Sequence, residues 1–171
     1  MAIRDARETD LPQILAIYNE VILNSTAVYS LEPVSLADRR AWLEARRSWG
    51  FPVLVAAEGD EAAGFASFGD WRGATGYRYT VEHSVHVRAE WRGRGHGQRL
   101  VEALIARAEE MELHVMMGGI DAANRDSIRF HERLGFRPVA EFREVGHKFG
   151  RWLDLVFVQR LIDAPGAPRA R

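Results

Sequence analysis

Residues 92–97 read Arg-Gly-Arg-Gly-His-Gly and stand between an apolar, β-branched segment and a segment with apolar residues at helical spacing. Alternating glycines let the backbone N–H groups of a turn point at one anion without interference from Cβ atoms. The first turn of the following helix adds unpaired N–H groups and the positive end of the helix dipole. Arg92 and Arg94 add positive charge. The pattern indicates a phosphate or pyrophosphate site.

The spacing of these glycines differs from that of two common nucleotide-binding loops. No Gly-Lys-Ser/Thr follows, as a Walker loop requires, and the glycines run G-x-G-x-G instead of G-x-G-x-x-G. Taken alone, the loop fits equally well a strand-to-helix turn that needs glycine only for a positive φ.

Glu82 is a second candidate for chemistry, because it is a carboxylate within the β-branched segment TVEHSV at residues 80–85. Burial in a sheet would raise its pKa toward the range in which a general base works. The alternative is a glutamate on an exposed sheet face that forms an ion pair. His83 and His86 are three residues apart and point to opposite faces of a regular strand, so we predict no metal site.

Composition excludes several classes of protein. The 171 residues include no cysteine, which removes disulfides, cysteine-ligated zinc and a cysteine nucleophile. The formal net charge of −1 gives no electrostatic basis for binding nucleic acid. No apolar run approaches the roughly 18 residues of a membrane span. The N-terminal segment MAIRDARETD lacks a signal-peptide pattern, so we expect a cytoplasmic protein without a membrane partner.

Apolar periodicity predicts the order strand, two helices, three strands, helix, strand, helix and two strands. The predicted strands lie at residues 3–5, 52–57, 64–68, 77–87, 114–120, 142–145 and 152–161, and the helices at 11–22, 36–48, 97–113 and 124–134. We expect one α/β domain over residues 1–163, with a mixed central sheet of about six to seven strands flanked by about four helices. Residues 164–171 (APGAPRAR) are predicted to be a disordered tail.

Several motifs together resemble one enzyme family. Arg92-x-x-Gly95-x-Gly97 resembles the pyrophosphate signature of the GNAT acetyltransferases, and Asn124-x-x-Ser127 followed by Leu-Gly-Phe at 134–136 resembles their second motif. The segments IYN (17–19), SFGDWR (67–72), TVEHSV (80–85) and KFGRWLD (148–154) are similar to the phosphinothricin N-acetyltransferase branch, which includes methionine sulfoximine and methionine sulfone acetyltransferases. The resemblance runs from residue 17 to residue 154.

The resemblance implies a single GNAT-like domain with acetyl-CoA as the acetyl donor and no metal. It implies that backbone groups of residues 85–87 bind the pantetheine arm, residues 93–98 the pyrophosphate, and Asn124 the pantetheine end. Arg133 would approach a CoA phosphate, although a solvated arginine is equally compatible. The implied acetyl-CoA residues are Val85, His86, Val87, Arg92, Gly93, Arg94, Gly95, His96, Gly97, Gln98, Asn124 and Arg133.

With no cysteine available, we expect direct attack of an amine on the thioester in a ternary complex. The resemblance implies that Glu82 is the general base, acting through a water molecule. His131 is the candidate acid, at a helix position where many GNAT enzymes have tyrosine. Two alternatives stay open for His131: it only orients CoA, or it is a helix-face histidine packed on Ile128 and Leu134. Oxyanion stabilisation is expected from backbone N–H groups near Val85.

The acceptor is expected to be a small amino-acid-like amine. Arg72 and Arg78 bracket a loop, and an arginine fork matches a carboxylate. The resemblance implies that Thr75, Gly76 and Tyr77 line the pocket. Candidate aromatic walls are Tyr29, which lies in a loop between two helices, and Trp71.

The family relationship also implies a homodimer, with residues 148–155 near the shared edge. Two other functions stay open. One is acetylation of a protein N-terminus or another amine, although the presumed pocket loop, with two arginines and no carboxylate, disfavours an aminoglycoside. The other is a non-catalytic acyl-CoA-binding module, which the presence of Glu82 and His131 disfavours.

Overall fold

Sheet and helix formers alternate along the chain. The computed structural model describes residues 2–162. It shows the predicted order of elements. The predicted tail at 164–171 lies outside the described residues, and the domain boundary at 163 stays a prediction. Within the described range there are seven strands and four α-helices. The strands are β1 (Ala2–Asp5), β2 (Val53–Glu58), β3 (Glu61–Asp70), β4 (Thr80–Val87), β5 (Val115–Asp121), β6 (Arg137–Lys148) and β7 (Arg151–Leu161). The helices are α1 (Leu11–Asn24), α2 (Leu36–Ser48), α3 (His96–Glu110) and α4 (Arg125–Arg133).

The strands form one mixed sheet in the order β1-β2-β3-β4-β5-β7-β6, which confirms the predicted fold class. β4 and β5 are parallel, while β1–β2, β2–β3, β5–β7 and β6–β7 are antiparallel. The β4–β5 ladder consists of three pairs, from Thr80–Val115 to Glu82–Met117. β4 therefore runs for five more residues, to Val87, past the end of this ladder.

The chain divides into two compact units. The first contains Met1–Ser67 and Ser84–Leu104, where α1 and α2 pack on the antiparallel strands β1 to β3. The core of this unit includes Leu11, Ile14, Ile17, Leu43, Val55 and Phe65. A Cβ atom at Gly64 would lie 2.6 Å from the His86 carbonyl oxygen, so only glycine fits where β3 approaches β4.

The second unit contains Phe68–His83 and Ile105–Arg171. Here β5 pairs with β7 over seven residue pairs, and β7 pairs with β6. Met116, Phe136 and Val158 are fully or almost fully buried. β6 is one of the two edge strands of the sheet, and most of its side chains are exposed.

Local sequence signals set several element ends correctly. Ser35 caps α2: its hydroxyl accepts from the Asp38 backbone N–H, and the Asp38 carboxylate accepts from the Ser35 N–H. Asp10 occupies the N-cap position of α1 without capping it, because its carboxylate forms two hydrogen bonds, of 2.7 and 2.8 Å, with the Arg4 guanidinium.

Several predicted boundaries were wrong. β4 begins at Thr80, not at residue 77, because Thr75–Tyr77 forms a 3-10 turn. α3 runs from His96 to Glu110, so it begins one residue before its predicted start and ends before residue 113. β3 continues through Gly69 and Asp70, past its predicted end at residue 68. β6 is far longer than residues 142–145, because a bulge between Phe142 and Gly146 breaks the alternation of apolar residues.

Candidate functional site

Two polar residues at the centre of the second unit fit against two glycines on the neighbouring strand. Successive residues of β4 point to opposite faces of the sheet, so Glu82 and His83 do as well. A Cβ atom at Gly118 of β5 would lie 2.8 Å from His83 Cε1, and one at Gly119 would lie 3.2 Å from Glu82 Oε1. The two glycines therefore make room for an imidazole on one face and a carboxylate on the other.

Glu82 has the environment that the sequence predicted. It is partly buried, and burial raises the pKa of its carboxyl above the ordinary value for glutamate. The positive charge of Arg72 acts in the opposite direction and lowers this pKa, but burial is the larger effect. A carboxylate with a raised pKa accepts a proton more readily than an ordinary carboxylate, which suits a general base.

Apolar side chains lie beside the Glu82 carboxylate. A Cβ atom at Gly119 would be within 3.6 Å of both Leu155 and Phe157 as well as near Glu82. Phe157 in turn meets Trp71 edge-on, with 6.5 Å between ring centroids. The Glu82 carboxylate and these apolar groups thus all approach Gly119, in keeping with the burial that raises the pKa of this carboxyl.

His131 is buried, and it bonds to the neighbour of Glu82 in sequence. Its Nε2 lies 3.1 Å from Nε2 of His83, and its Nδ1 lies 2.7 Å from the Ser127 carbonyl oxygen. Nδ1 of His83 lies 2.7 Å from the Met117 carbonyl oxygen. Burial lowers the pKa of His131, and the bond to the Ser127 carbonyl partly offsets this. His131 therefore has polar partners at both ring nitrogens in addition to its apolar surroundings.

Helix α4 holds His131 in place through its two ends. Asn124 is the N-cap residue, and its Oδ1 accepts from the Ser127 backbone N–H at 3.0 Å. The helix ends before Gly135, whose φ of +83° is typical of a glycine that follows the end of a helix. The Arg160 guanidinium donates to the Leu134 carbonyl oxygen beyond the last turn. Asn124 and Arg133 are both exposed, at opposite ends of this helix.

In the first unit, the predicted anion loop has the backbone conformation that its sequence suggested. Gly93 and Gly95 have φ values of +75° and +84°, and both are exposed. The loop leads directly into the N-terminus of α3, a helix of 15 residues. Exposed left-handed glycines, a helix N-terminus and two exposed arginines, Arg92 and Arg94, form a surface suited to a pyrophosphate.

The side chains around the loop are partly engaged with the protein. Arg92 donates through Nε to the Val87 carbonyl oxygen at 3.2 Å, and the Arg94 guanidinium lies 5.0 Å from the centre of the Trp91 ring. His96 is buried with its ring edge-on to Trp91. Gln98 donates to Glu102 at 2.8 Å. The backbone N–H groups and the outer guanidinium nitrogens are thus the parts suited to an anion.

His86 belongs to an aromatic cluster that the sequence did not reveal. Its buried ring lies edge-on to Tyr18 and 5.2 Å from the centre of Phe65, and burial lowers its pKa to about 4. The Arg39 guanidinium stacks 4.2 Å from the centre of the Tyr18 ring. A neutral, packed His86 supports the prediction that this position acts through its backbone. Val85 and Val87, on either side, are partly buried.

No metal site is apparent in residues 2–162. His83 and His86 have separate partners, and the described residues contain no group of three or more His, Cys, Asp and Glu side chains that could hold a metal ion. None of the helices in this range combines the length and apolar character needed to cross a membrane.

The predicted acceptor residues of the second unit lie together in the exposed segment between β3 and β4. The Arg72 guanidinium lies 4.9 Å from the Trp71 ring centre, and Trp71 meets Tyr77 edge-on. Arg78 stacks on Tyr79 at 4.6 Å and donates to the Thr75 carbonyl oxygen. Gly76 is exposed within the same 3-10 turn. Tyr29 belongs to the first unit, where it lies partly buried between α1 and α2.

The sequence prediction overlooked His83, which it considered only as a metal ligand. Two signals pointed to it. A residue adjacent to Glu82 must face the other side of the sheet, and the Gly-Gly pair of β5 indicates that bulky groups approach that strand from both sides.

Known proteins share both the sequence and the fold. The model of the acetyltransferase (GNAT) family matches residues 14–136. An L-methionine sulfoximine/L-methionine sulfone acetyltransferase from Pseudomonas paraeruginosa is 52% identical over 163 residues, covering 95% of each chain. A phosphinothricin N-acetyltransferase from Alcaligenes faecalis is 34% identical, covering 95% of this chain and 83% of its own.

A solved structure agrees with these relatives. An acetyltransferase from Salmonella typhimurium, described as putative and determined with its cofactor acetyl-CoA, superimposes with a TM-score of 0.94 at 46% identity. The match covers 100% of this chain and 99% of that one.

Proposed function

The chain belongs to the GNAT acetyltransferase family, and on that premise we propose that it acetylates the amine of a small amino-acid-like acceptor of the methionine sulfoximine, methionine sulfone or phosphinothricin type. Acetyl-CoA supplies the acetyl group as a thioester. The observation that carries the proposal is Glu82, a partly buried carboxylate whose pKa is raised by desolvation, in a chain 52% identical to a methionine sulfoximine/sulfone acetyltransferase.

Glu82 serves as the general base in this proposal. An amine must lose a proton to attack a thioester, and a carboxylate with a raised pKa accepts that proton more readily than an ordinary one. The carboxylate acts through a water molecule, because a residue within a strand has limited reach. The positive charge of Arg72 lowers the pKa of Glu82 and so favours the ionised form that can accept a proton.

His131 serves as the acid that protonates the departing thiolate. Its partner His83 points to the sheet face opposite Glu82. In this proposal, the amine therefore loses its proton on one face of β4, and the leaving thiolate gains a proton on the other face. This separation prevents the base and the acid from neutralising one another directly.

Residues 92–98 bind the pyrophosphate through the N-terminus of α3, the two left-handed glycines and the arginines. Backbone groups of Val85, His86 and Val87, past the end of the β4–β5 ladder, bind the pantetheine arm. The Oδ1 of Asn124 is occupied by the helix cap, so its amide NH₂ group is the part suited to the pantetheine carbonyls. Arg133, exposed at the end of α4, contributes charge toward a phosphate.

The segment between β3 and β4 recognises the acceptor. Arg72 and Arg78 bind the carboxylate, Thr75, Gly76 and Tyr77 line the pocket, and Tyr29 and Trp71 provide aromatic walls. Support comes from the exposure of both arginines and from the absence of a carboxylate in residues 71–78. Such a segment suits an anionic acceptor and disfavours a polycationic one.

We further propose a cytoplasmic homodimer that uses no nucleic acid or membrane partner. Phe149 and Trp152, on and beside the β6–β7 turn, are 57% and 64% exposed, which is unusual for large apolar side chains. Sedimentation at several protein concentrations should show a dimer that the double variant Phe149→Ser, Trp152→Ser converts to monomer. A monomer in the unaltered protein would contradict the proposal.

We expect Glu82→Gln to lower kcat for methionine sulfoximine by about 10²–10⁴-fold, because glutamine cannot accept the proton. In the unaltered protein, activity should fall as the pH drops through the raised pKa of Glu82, and the variant should lose this acidic limb. Release of CoA thiol measures both. The matched control is Glu109→Gln on the exposed surface of α3, which should behave as wild type.

The same assay tests the acceptor with a panel of methionine sulfoximine, methionine sulfone, phosphinothricin, an N-terminal alanine peptide and an aminoglycoside. Each amino acid is compared with its carboxamide, which lacks the charge that Arg72 and Arg78 are proposed to bind. The amides should have the higher KM. Preference for the peptide, or equal KM for acid and amide, would contradict the proposed acceptor, and binding without turnover would favour a non-catalytic module.

We expect Gly95→Ala to raise the KM for acetyl-CoA about tenfold, because alanine at φ +84° costs roughly 1–2 kcal/mol and distorts the loop. Gly59→Ala in the β2–β3 turn is the matched control, since Gly59 has φ +62° and equally open surroundings. Thermal unfolding should show similar losses of stability for both, while the KM changes only at Gly95. An equal change in KM at both positions would show that the loop has no special role.

A further inference from the structure

The hydrogen bonds of His83 and His131 fix how many protons the two rings carry. Each Nδ1 lies 2.7 Å from a backbone carbonyl oxygen, that of Met117 for His83 and that of Ser127 for His131. A carbonyl oxygen only accepts, so each Nδ1 must carry a hydrogen. If both rings were neutral with their hydrogens on Nδ1, both Nε2 atoms would be unprotonated acceptors. These two atoms face each other at 3.1 Å. One further proton between them turns this contact into a hydrogen bond.

No neutral arrangement satisfies all three contacts. Moving the hydrogen of one ring from Nδ1 to Nε2 restores the bond between the rings but places a lone pair against a carbonyl oxygen. Each neutral arrangement thus leaves two acceptors in contact inside the protein, where an unsatisfied polar group is costly. The singly protonated pair is the state in which every nitrogen has a suitable partner, and its central bond is charge-assisted.

Burial opposes this charge. His83 and His131 are 6% and 5% exposed, and Phe136 lies about 5 Å from both rings. Desolvation lowers the pKa of His131, whereas the Ser127 carbonyl raises it. Sharing one proton between two rings spreads the charge, and two carbonyl dipoles point their negative ends at the pair. For the pair to hold the proton, these three hydrogen bonds must outweigh the desolvation of one delocalised charge.

Charged groups also lie on the elements that carry and surround the pair. Glu82 of β4 points to the other face, and the Asp121 carboxylate of β5 accepts from the Ala123 N–H. The Arg160 guanidinium of β7 donates to the Leu134 carbonyl. On α4, Arg129 pairs with Asp126, and Glu132 and Arg133 are exposed.

We propose that His83 and His131 share one proton between their Nε2 atoms and that His83 is a positioning residue that keeps His131 a proton donor. The proposal rests on the proposed function, in which His131 protonates the departing thiolate. In that step the Nε2–H bond of His131 breaks, its electron pair stays on the ring, and an S–H bond forms. The neutral pair that results has two lone pairs facing each other, which favours its reprotonation by water.

Nitrogen-15 NMR of histidine-labelled protein without substrate tests the shared proton directly. At pH 7.5 both Nδ1 atoms should be protonated, and the two Nε2 atoms should share one proton that they lose in a single coupled step at higher pH. Variants His83→Gln and His131→Gln assign the signals, and exposed His147 provides a reference ring. The proposal would be overturned if both rings were neutral at pH 7.5, or if either ring carried a hydrogen on Nε2 and none on Nδ1.

The pH dependence of kcat tests the role of His83. His83→Leu removes the acceptor for the His131 proton while burial remains, so the pKa of His131 falls. We expect kcat at pH 8 to drop about tenfold or more and the alkaline limb to move about one unit or more to lower pH. His83→Gln should retain more activity, because its amide oxygen still accepts from protonated His131. An unshifted limb in a folded His83→Leu variant, or no advantage of Gln over Leu, would refute the positioning role.

These outcomes separate the two proposals. If no amine is acetylated, the proposed function fails, while the NMR result on the free protein still decides whether the proton is shared. If Glu82→Gln behaves as expected and the NMR shows two neutral rings, the shared proton alone is wrong.

Discussion

The site depends on the fit of two polar side chains of β4 against two glycines of β5. Glu82 and His83 are adjacent in sequence and therefore occupy opposite faces of the sheet. Any side chain at Gly118 would meet the His83 ring, and any at Gly119 would approach the Glu82 carboxylate. The parallel β4–β5 ladder, which ends at Glu82 and Met117, sets this register. A shift by one residue would exchange the two faces and remove both environments.

This arrangement gives two ionisable groups opposite chemical tasks in one strand. Glu82 lies beside apolar groups, which raises its pKa and makes it a stronger base than a solvated carboxylate. His83 faces His131, where two carbonyl oxygens dictate the tautomers and leave room for one proton between the rings. Acyl transfer from a thioester to an amine requires one group of each kind.

Local sequence signals predicted much of the molecule. The order of elements follows from short-range chemistry and is confirmed. The burial that raises the pKa of Glu82 also agrees with what its place in a β-branched segment predicted. The pairing of His83 with His131 was not predictable, because it depends on how α4 packs against β4, a contact between residues 48 positions apart. The bulge in β6 likewise interrupts the alternation of apolar and polar residues from which strands are predicted.

The pH dependence of kcat in two glycine variants tests this constraint most directly. Gly119→Ala places a methyl group beside the Glu82 carboxylate, so the acidic limb should move to higher pH while the alkaline limb stays in place. Gly118→Ala displaces the His83 ring, so the alkaline limb should move to lower pH while the acidic limb stays in place. If both variants simply lose activity with both limbs unshifted, or if each variant moves both limbs together, the two glycines do not set two separate environments.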